Sequence, residues 1–162
     1  MRRTKKDSLR QERRVAVDIG GRPTAASGAG PFVKNDVRNR TWSIECKTTG
    51  ADRFTLTHKA LTAAEINALL DNREMAFVIE MCGRQWAVVA AEKWLDDTGE
   101  TAWHVERTTT SAKQVALTHH SLTASESRAL LAHRELAFVI EMAGREWAVI
   151  AYDTFLDQIG EG

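Results

Sequence analysis

The sequence predicts a mixed α/β (α+β) protein, and three observations carry that expectation. The run Trp42-Ser43-Ile44-Glu45-Cys46-Lys47-Thr48-Thr49 alternates apolar and polar side chains with the period of two that a half-buried strand requires. Thr62 with Glu65, and Thr123 with Glu126, have the capping-box spacing that starts a helix, and the helical patterns run to about Asn72 and His133. Each helix is followed by two β-rich runs, Met75 to Met81 with Arg84 to Ala90 and Leu136 to Met142 with Arg145 to Ala151. They join at Cys82-Gly83 and Ala143-Gly144, where glycine tolerates the positive φ of a tight hairpin.

The first element is a helix, with Ser8 and Gln11 as its expected capping pair and Gly20-Gly21 as its end. Leu9, Glu12, Ala16 and Ile19 share one face of it, which puts a carboxylate on an apolar stripe. Such a position is costly unless a cation or donor compensates it; otherwise it marks the edge of the stripe, where the carboxylate reaches water or an arginine. Asp36 follows in an expected strand, and then the Trp42 to Thr49 strand turns Trp42, Ile44 and Cys46 to a core and Ser43, Glu45 and Lys47 to the other side.

From there the chain repeats. A shift of 61 residues aligns Leu56 to Glu100 with Leu117 to Glu161, with 28 of 45 positions identical, and weaker similarity reaches back to Trp42 over Trp103. Two copies fall short of the three or more units that stabilise a repeat array, so partial tandem duplication describes the chain better.

The chain of 162 residues has a net charge of zero, but residues 1 to 59 hold 14 Lys and Arg against 6 Asp and Glu. A basic half attracts nucleic acid through its phosphates without regard to sequence, although a solvated charged surface produces the same count. No apolar run approaches the ~20 residues that span a bilayer, and the basic start leads into further charge. The expectation is no membrane association and a cytoplasmic location, the host cytoplasm for a phage-encoded chain. Cys46 and Cys82 lack metal-ligand spacing and lie in apolar segments, where a reduced thiol behaves as a small hydrophobe. His58 and His119 read as polar strand ends, and the five tryptophans as core rather than base-stacking platforms.

Asp36, Glu45 and Lys47 can converge at one sheet edge. Carboxylates there hold a divalent cation, which activates water and neutralises charge on a phosphodiester in hydrolysis, and a neighbouring lysine orients or deprotonates the water. As a bare pattern the same residues also describe a solvated strand face with an ion pair.

The ordered set Arg10-Gln11-Glu12, Gly20-Gly21-Arg22, Ala26-Ser27-Gly28-Ala29, Asn35-Asp36-Val37-Arg38 and Ile44-Glu45-Cys46-Lys47-Thr48-Thr49 resembles the PD-(D/E)xK nuclease superfamily, in particular its small phage and archaeal Holliday junction resolvase-like members. The resemblance covers roughly residues 7 to 98. It implies a restriction-endonuclease-like αβββαβ core with a central mixed sheet over residues 1-100, followed by a degenerate β-α-β-β duplicate in 101-162. It further implies Mg²⁺, or Mn²⁺ as substitute, bound by Asp36 and Glu45, with the Cys46 carbonyl as a further ligand and Glu12 near the metal. Lys47 would be the catalytic lysine and Ser27 would lie near the scissile phosphate. Asn35, where relatives often have glycine, and a short turn after Lys47 are departures.

In the duplicate Glu106 keeps the place of Glu45, Thr108 replaces Lys47, and nothing corresponds to Glu12 or the Ser27 loop, so no catalysis is expected there. Arg107 in the place of Cys46, and Ser127 in the place of Ile66 where a hydrophobic staple would form, predict a loosely held first strand. Phe138, Val139, Ile140, Trp147, Val149 and Ile150 keep the apolar hairpin.

The functional expectation is a structure-directed endonuclease on branched DNA, working as a homodimer or as an intramolecular pseudo-dimer. The alternatives are a noncatalytic DNA-binding or assembly protein, and a general duplex endonuclease or nickase. Lys5, Lys6, Arg13, Arg14, Arg22, Arg38 and Arg40 are the candidate DNA phosphate contacts.

Overall fold

In a computed structural model, residues 4–24, 35–98 and 102–160 are described. Helix α1 (Lys5–Asp18) starts four residues before the expected pair. The Oγ1 of Thr4 accepts from the Asp7 N–H at 3.1 Å, and Asp7 Oδ2 accepts from the Thr4 N–H at 3.1 Å, so Thr4 and Asp7 form the reciprocal box in place of Ser8 and Gln11. The stripe is also rotated: Gln11, Val15 and Ala16 are buried and Glu12 is half-buried, while Leu9 lies exposed. Gly20, at φ 63°, turns the chain out of the helix where the sequence placed its end.

Two short strands, β1 (Arg22–Pro23) and β2 (Val37–Arg38), lead antiparallel to β3 (Trp42–Thr48). β3 turns Ile44 and Cys46 into the core and leaves Glu45 and Lys47 half-buried on the opposite side, as the alternation predicts. Two segments with the same order of elements follow. The first takes β3 as its opening strand and continues through β4 (Arg53–Thr57), α2 (His58–Leu70), β5 (Glu74–Met81), β6 (Arg84–Ala90) and α3 (Ala91–Thr98). The second begins with β7 (Trp103–Thr109), the counterpart of β3, and continues through β8 (Gln114–Thr118), α4 (His119–Leu131), β9 (Glu135–Met142), β10 (Arg145–Ala151) and α5 (Tyr152–Gly160).

Both α2 and α4 begin earlier than the Thr-x-x-Glu pattern indicates. Thr57 Oγ1 accepts from the Ala60 N–H at 3.0 Å and Thr118 Oγ1 from the Ser121 N–H at 3.1 Å, so these threonines cap the helices. Thr62 and Thr123 sit a turn inside, each donating its hydroxyl to a carbonyl four residues back. Leu56 with Leu61, and Leu117 with Leu122, flank the true caps and are all buried at the staple positions. Ile66 is 55% exposed, so Ser127 in its place removes no staple. His58 and His119 are accordingly first helical residues and not strand ends.

The hairpins turn where expected. Cys82 and Gly83 have φ of 51° and 74°, and Ala143 and Gly144 of 52° and 76°, the two consecutive positive values of a type I′ turn. This exposes Cys82 at a turn and corrects the expectation of an apolar setting for it; Cys46 is buried, and both thiols are free.

An eight-stranded mixed sheet runs in the order β1-β2-β3-β5-β6-β10-β9-β7, with the parallel pairs β3–β5 and β7–β9. One face carries α1, α3 and α5 over Val15, Ile44, Val78, Ala148 and Phe155. The other carries α2, α4 and the β4–β8 ribbon over Phe77, Ile79, Trp86 and Trp147. The two segments are therefore joined in one sheet through β6 and β10. Trp86, Trp94, Trp103 and Trp147 are buried, and Trp42 packs edge-on against Trp94 and Phe155.

β7 keeps its register with β9 from Trp103 opposite Glu135 to Thr109 opposite Glu141, so the expectation of a loosely held strand does not extend to its pairing. Arg107 avoids the core because β7 is the edge strand of the sheet; it reaches Glu146 at 2.6 Å. No described helix is long and apolar enough to cross a membrane.

Candidate active site

Asp36 precedes β2 by one residue, and the pairing of Val37 with Ile44 places it beside Glu45 on the neighbouring strand. Its Oδ2 accepts from the Cys46 N–H at 2.9 Å, which pins the carboxylate to the backbone of β3. A strand sends the N–H and C=O of one residue to the same side, so the Cys46 carbonyl faces the Asp36 side as well. The Asp36 and Glu45 carboxyl groups lie close enough for each to feel the other's charge, and Lys47 Nζ lies 3.8 Å from Glu45 Oε2. Glu12 approaches from α1 and feels the charge of Asp36.

The electrostatics follow from this crowding. Burial, then the hydrogen bond and charge of Asp36, push the Glu45 carboxyl up to about 8, against the smaller opposing effect of Lys47. Burial, then Asp36, also raise Glu12. Carboxylates gathered so closely repel one another, and added positive charge relieves that repulsion.

A stability consequence can be measured. With a folded value near 8 against an ordinary 4.5, Glu45 holds its proton in the folded chain over a range in which the unfolded chain has lost it. Its contribution is therefore full below about pH 4.5 and is lost as pH rises toward 8. In urea unfolding with a chelator present, Glu45→Gln should flatten the fall in stability between pH 5 and 8 by roughly 2–4 kcal/mol. An identical pH profile for wild type and variant would contradict this assignment.

Among the described residues no group of three or more His, Cys, Asp or Glu forms a ready metal cage. Magnesium, however, commonly takes one or two carboxylates and completes its shell with water and substrate phosphate. The adjacent, mutually repelling carboxylates of Asp36 and Glu45 suit that mode.

The structure also shows supporting residues whose role the sequence did not reveal. Gln11 is fully buried, and its Nε2 donates to the Lys47 carbonyl at 2.9 Å and to Gln85 Oε1 at 3.3 Å, so α1 grips the strand at the lysine itself. Its signal was a polar residue four before Val15 on the inward stripe. Asn35 is also buried; its Nδ2 donates to Ser43 Oγ at 3.0 Å and to the Ala64 carbonyl at 2.9 Å, tying the approach to Asp36 onto β3 and α2. Asn35 thus braces the approach to Asp36.

Ser27 lies outside the described residues. Lys5, Lys6, Arg13, Arg22 and Arg40 are exposed. Arg38 instead donates to both oxygens of Asp71 at 3.1 Å, and Arg14 to Glu80 at 3.1 Å, so their charge is neutralised locally.

In the second segment the position of Glu45 has the opposite chemistry. Glu106 accepts from Arg128 through Nε and Nη2, both at 2.7 Å, from Ser125 Oγ at 2.9 Å, and contacts His104 Nε2 at 2.9 Å. These bonds, that of Arg128 foremost, hold its carboxyl down at about 2. The first segment has Asn67 and Ala64 where the second has Arg128 and Ser125.

A cavity of about 810 Å³ opens by Trp42, Glu74, Lys93 and Trp94 and includes none of Glu12, Asp36, Glu45 or Lys47. The carboxylate set lies apart from this cavity, and a cation bound there needs no enclosed pocket, because magnesium completes its shell with water. Comparison with known proteins returned no match, neither a family model, nor a curated sequence, nor a solved structure.

Proposed function

We propose that this protein is a divalent-metal-dependent DNA endonuclease of the PD-(D/E)xK kind, resolvase-like in acting on branched DNA. The observation that carries the reading is Asp36, pinned to the Cys46 N–H beside Glu45 on the neighbouring strand, with Lys47 two residues on and 3.8 Å from Glu45. The order α1-β1-β2-β3-α2-β5, with β4 set aside in its own ribbon, supports it as an αβββαβ core.

Asp36 and Glu45 would hold Mg²⁺ or Mn²⁺, with the Cys46 carbonyl as a further donor and Glu12 at the margin. The cation, when bound, neutralises charge on the phosphodiester and lowers the pKa of the attacking water. The chain's own residues do the rest. Asp36 is oriented by the Cys46 N–H, which fixes its carboxylate against the backbone of β3. Lys47, held through its backbone by Gln11, directs an ammonium group to the side of the carboxylates, where it can hydrogen-bond water or a phosphate oxygen. Lys5, Lys6, Arg13, Arg22 and Arg40 offer contacts to the DNA backbone that are indifferent to sequence. The second segment is a noncatalytic duplicate, since Thr108 stands for the lysine and Arg128 neutralises the remaining glutamate.

The test is cleavage of a four-way junction and a linear duplex of matched sequence with Mg²⁺. The junction should be cut at least about tenfold faster. Equal cutting would leave a general duplex nuclease, and binding without cutting in either Mg²⁺ or Mn²⁺ would replace this reading with a noncatalytic DNA-binding or assembly protein.

A further inference from the structure

We propose that the chain cuts one strand of its DNA and is a nicking enzyme, because its second segment fills the surface through which the catalytic segment would pair with another copy. This rests on the nuclease reading above and adds to it the number of strands cut.

The argument is one of symmetry. In a two-fold interface the residue on the axis faces its own copy, and every other contact occurs twice with the partners exchanged. Across β6–β10, Val88 pairs with Val149, which is 61 residues on and is its equivalent in the repeat. Across β4–β8, Thr55 pairs with Ala116, again 61 residues on. The remaining contacts come in exchanged pairs. Arg84 donates to both oxygens of Glu126 at 2.6 and 3.0 Å, and Arg145 to both oxygens of Glu65 at 2.8 and 2.9 Å. Each of these arginines lies over a tryptophan, Trp86 or Trp147. The His58 N–H donates to the Lys113 carbonyl at 2.9 Å, and the His119 N–H to the Asp52 carbonyl at 2.8 Å.

The two segments are therefore arranged as the subunits of an isologous dimer within one chain. The strand edge of β6 and the cation of Arg84 already have their partners. A symmetric enzyme would place its second active site at Glu106. There the chain instead has Thr108 for the lysine and an arginine, a serine and a histidine on the glutamate, and among the described residues β7 is the last strand of the sheet, with no counterpart of β2 and Asp36 beyond it. One competent site thus faces one strand, and the opposite strand meets a site closed by an internal cation.

The experiment uses the full chain on a supercoiled plasmid carrying an extruded cruciform, with Mg²⁺ and protein in excess. Nicked circles should exceed linear product by at least tenfold at half-reaction, and mixing with the Lys47→Ala chain at constant total protein should lower the rate only in proportion to the wild-type fraction. Linear product from the earliest time points, or a rate that falls with the square of the wild-type fraction, would overturn the nicking proposal and leave the nuclease reading standing. Absence of scission in both Mg²⁺ and Mn²⁺ would overturn both.

Discussion

Lys47→Ala is expected to slow strand scission by about 10³-fold, within the ~10²–10⁴ range for a positioned proton-transfer group, while changing DNA affinity less than about threefold. The side chain is about one-third exposed and lies 3.8 Å from Glu45, so its removal leaves the strand pairing and the Gln11 bond to the Lys47 carbonyl in place. Asp36→Asn should cost as much or more. Asparagine can still accept from the Cys46 N–H, so the substitution removes charge with little loss of backbone support. It also offers a readout independent of activity. Without the Asp36 charge, one of the causes that push Glu45 up to about 8 disappears, and NMR titration of Glu45 should move toward the ordinary carboxylate range. If scission survived both substitutions, Asp36 and Lys47 would not be the reacting set.

Trp147→Ala should destabilise the whole chain by about 3–5 kcal/mol, the usual cost of removing a large aromatic side chain from a packed core. Trp147 is fully buried in an apolar layer that also contains Phe77, Ile79, Trp86 and Val88 of the first segment. The loss should therefore be felt in both segments alike. Urea unfolding followed by amide exchange at Val78 and at Val139 should show one shared shift in midpoint. A shift at Val139 alone, with Val78 at its wild-type stability, would mean that the second segment unfolds independently of the first. Trp86→Ala, the symmetry-related change, should act with similar size and the same reach.

The local features were readable where a single residue type decides them. The alternation from Trp42 to Thr48 identified both the strand and the side on which Glu45 and Lys47 emerge. Cys82-Gly83 and Ala143-Gly144 marked turns because few sequences accept two consecutive positive φ angles. Helix starts were less legible. Thr62 and Thr123 satisfy the same spacing rule as a real cap, and what selects Thr57 and Thr118 is the free N–H each one meets and the buried leucines on either side. The α1 stripe was misplaced for a similar reason. A buried glutamine looks polar in a sequence until the carbonyl of Lys47 and the amide of Gln85 are seen to receive it.

By itself the sequence determined that there are two related segments, that the first alone holds Asp36, Glu45 and Lys47, and that Thr108 breaks the set in the second. Only the tertiary structure decided that the segments face each other through β6 and β10 around a two-fold axis, and that Arg128 closes over Glu106. Identity between repeats is carried by the residues themselves, whereas strand partners and ion pairs far apart in the chain depend on which apolar faces are buried together. Val88 can pair with Val149 only after the folded core has brought both strands side by side.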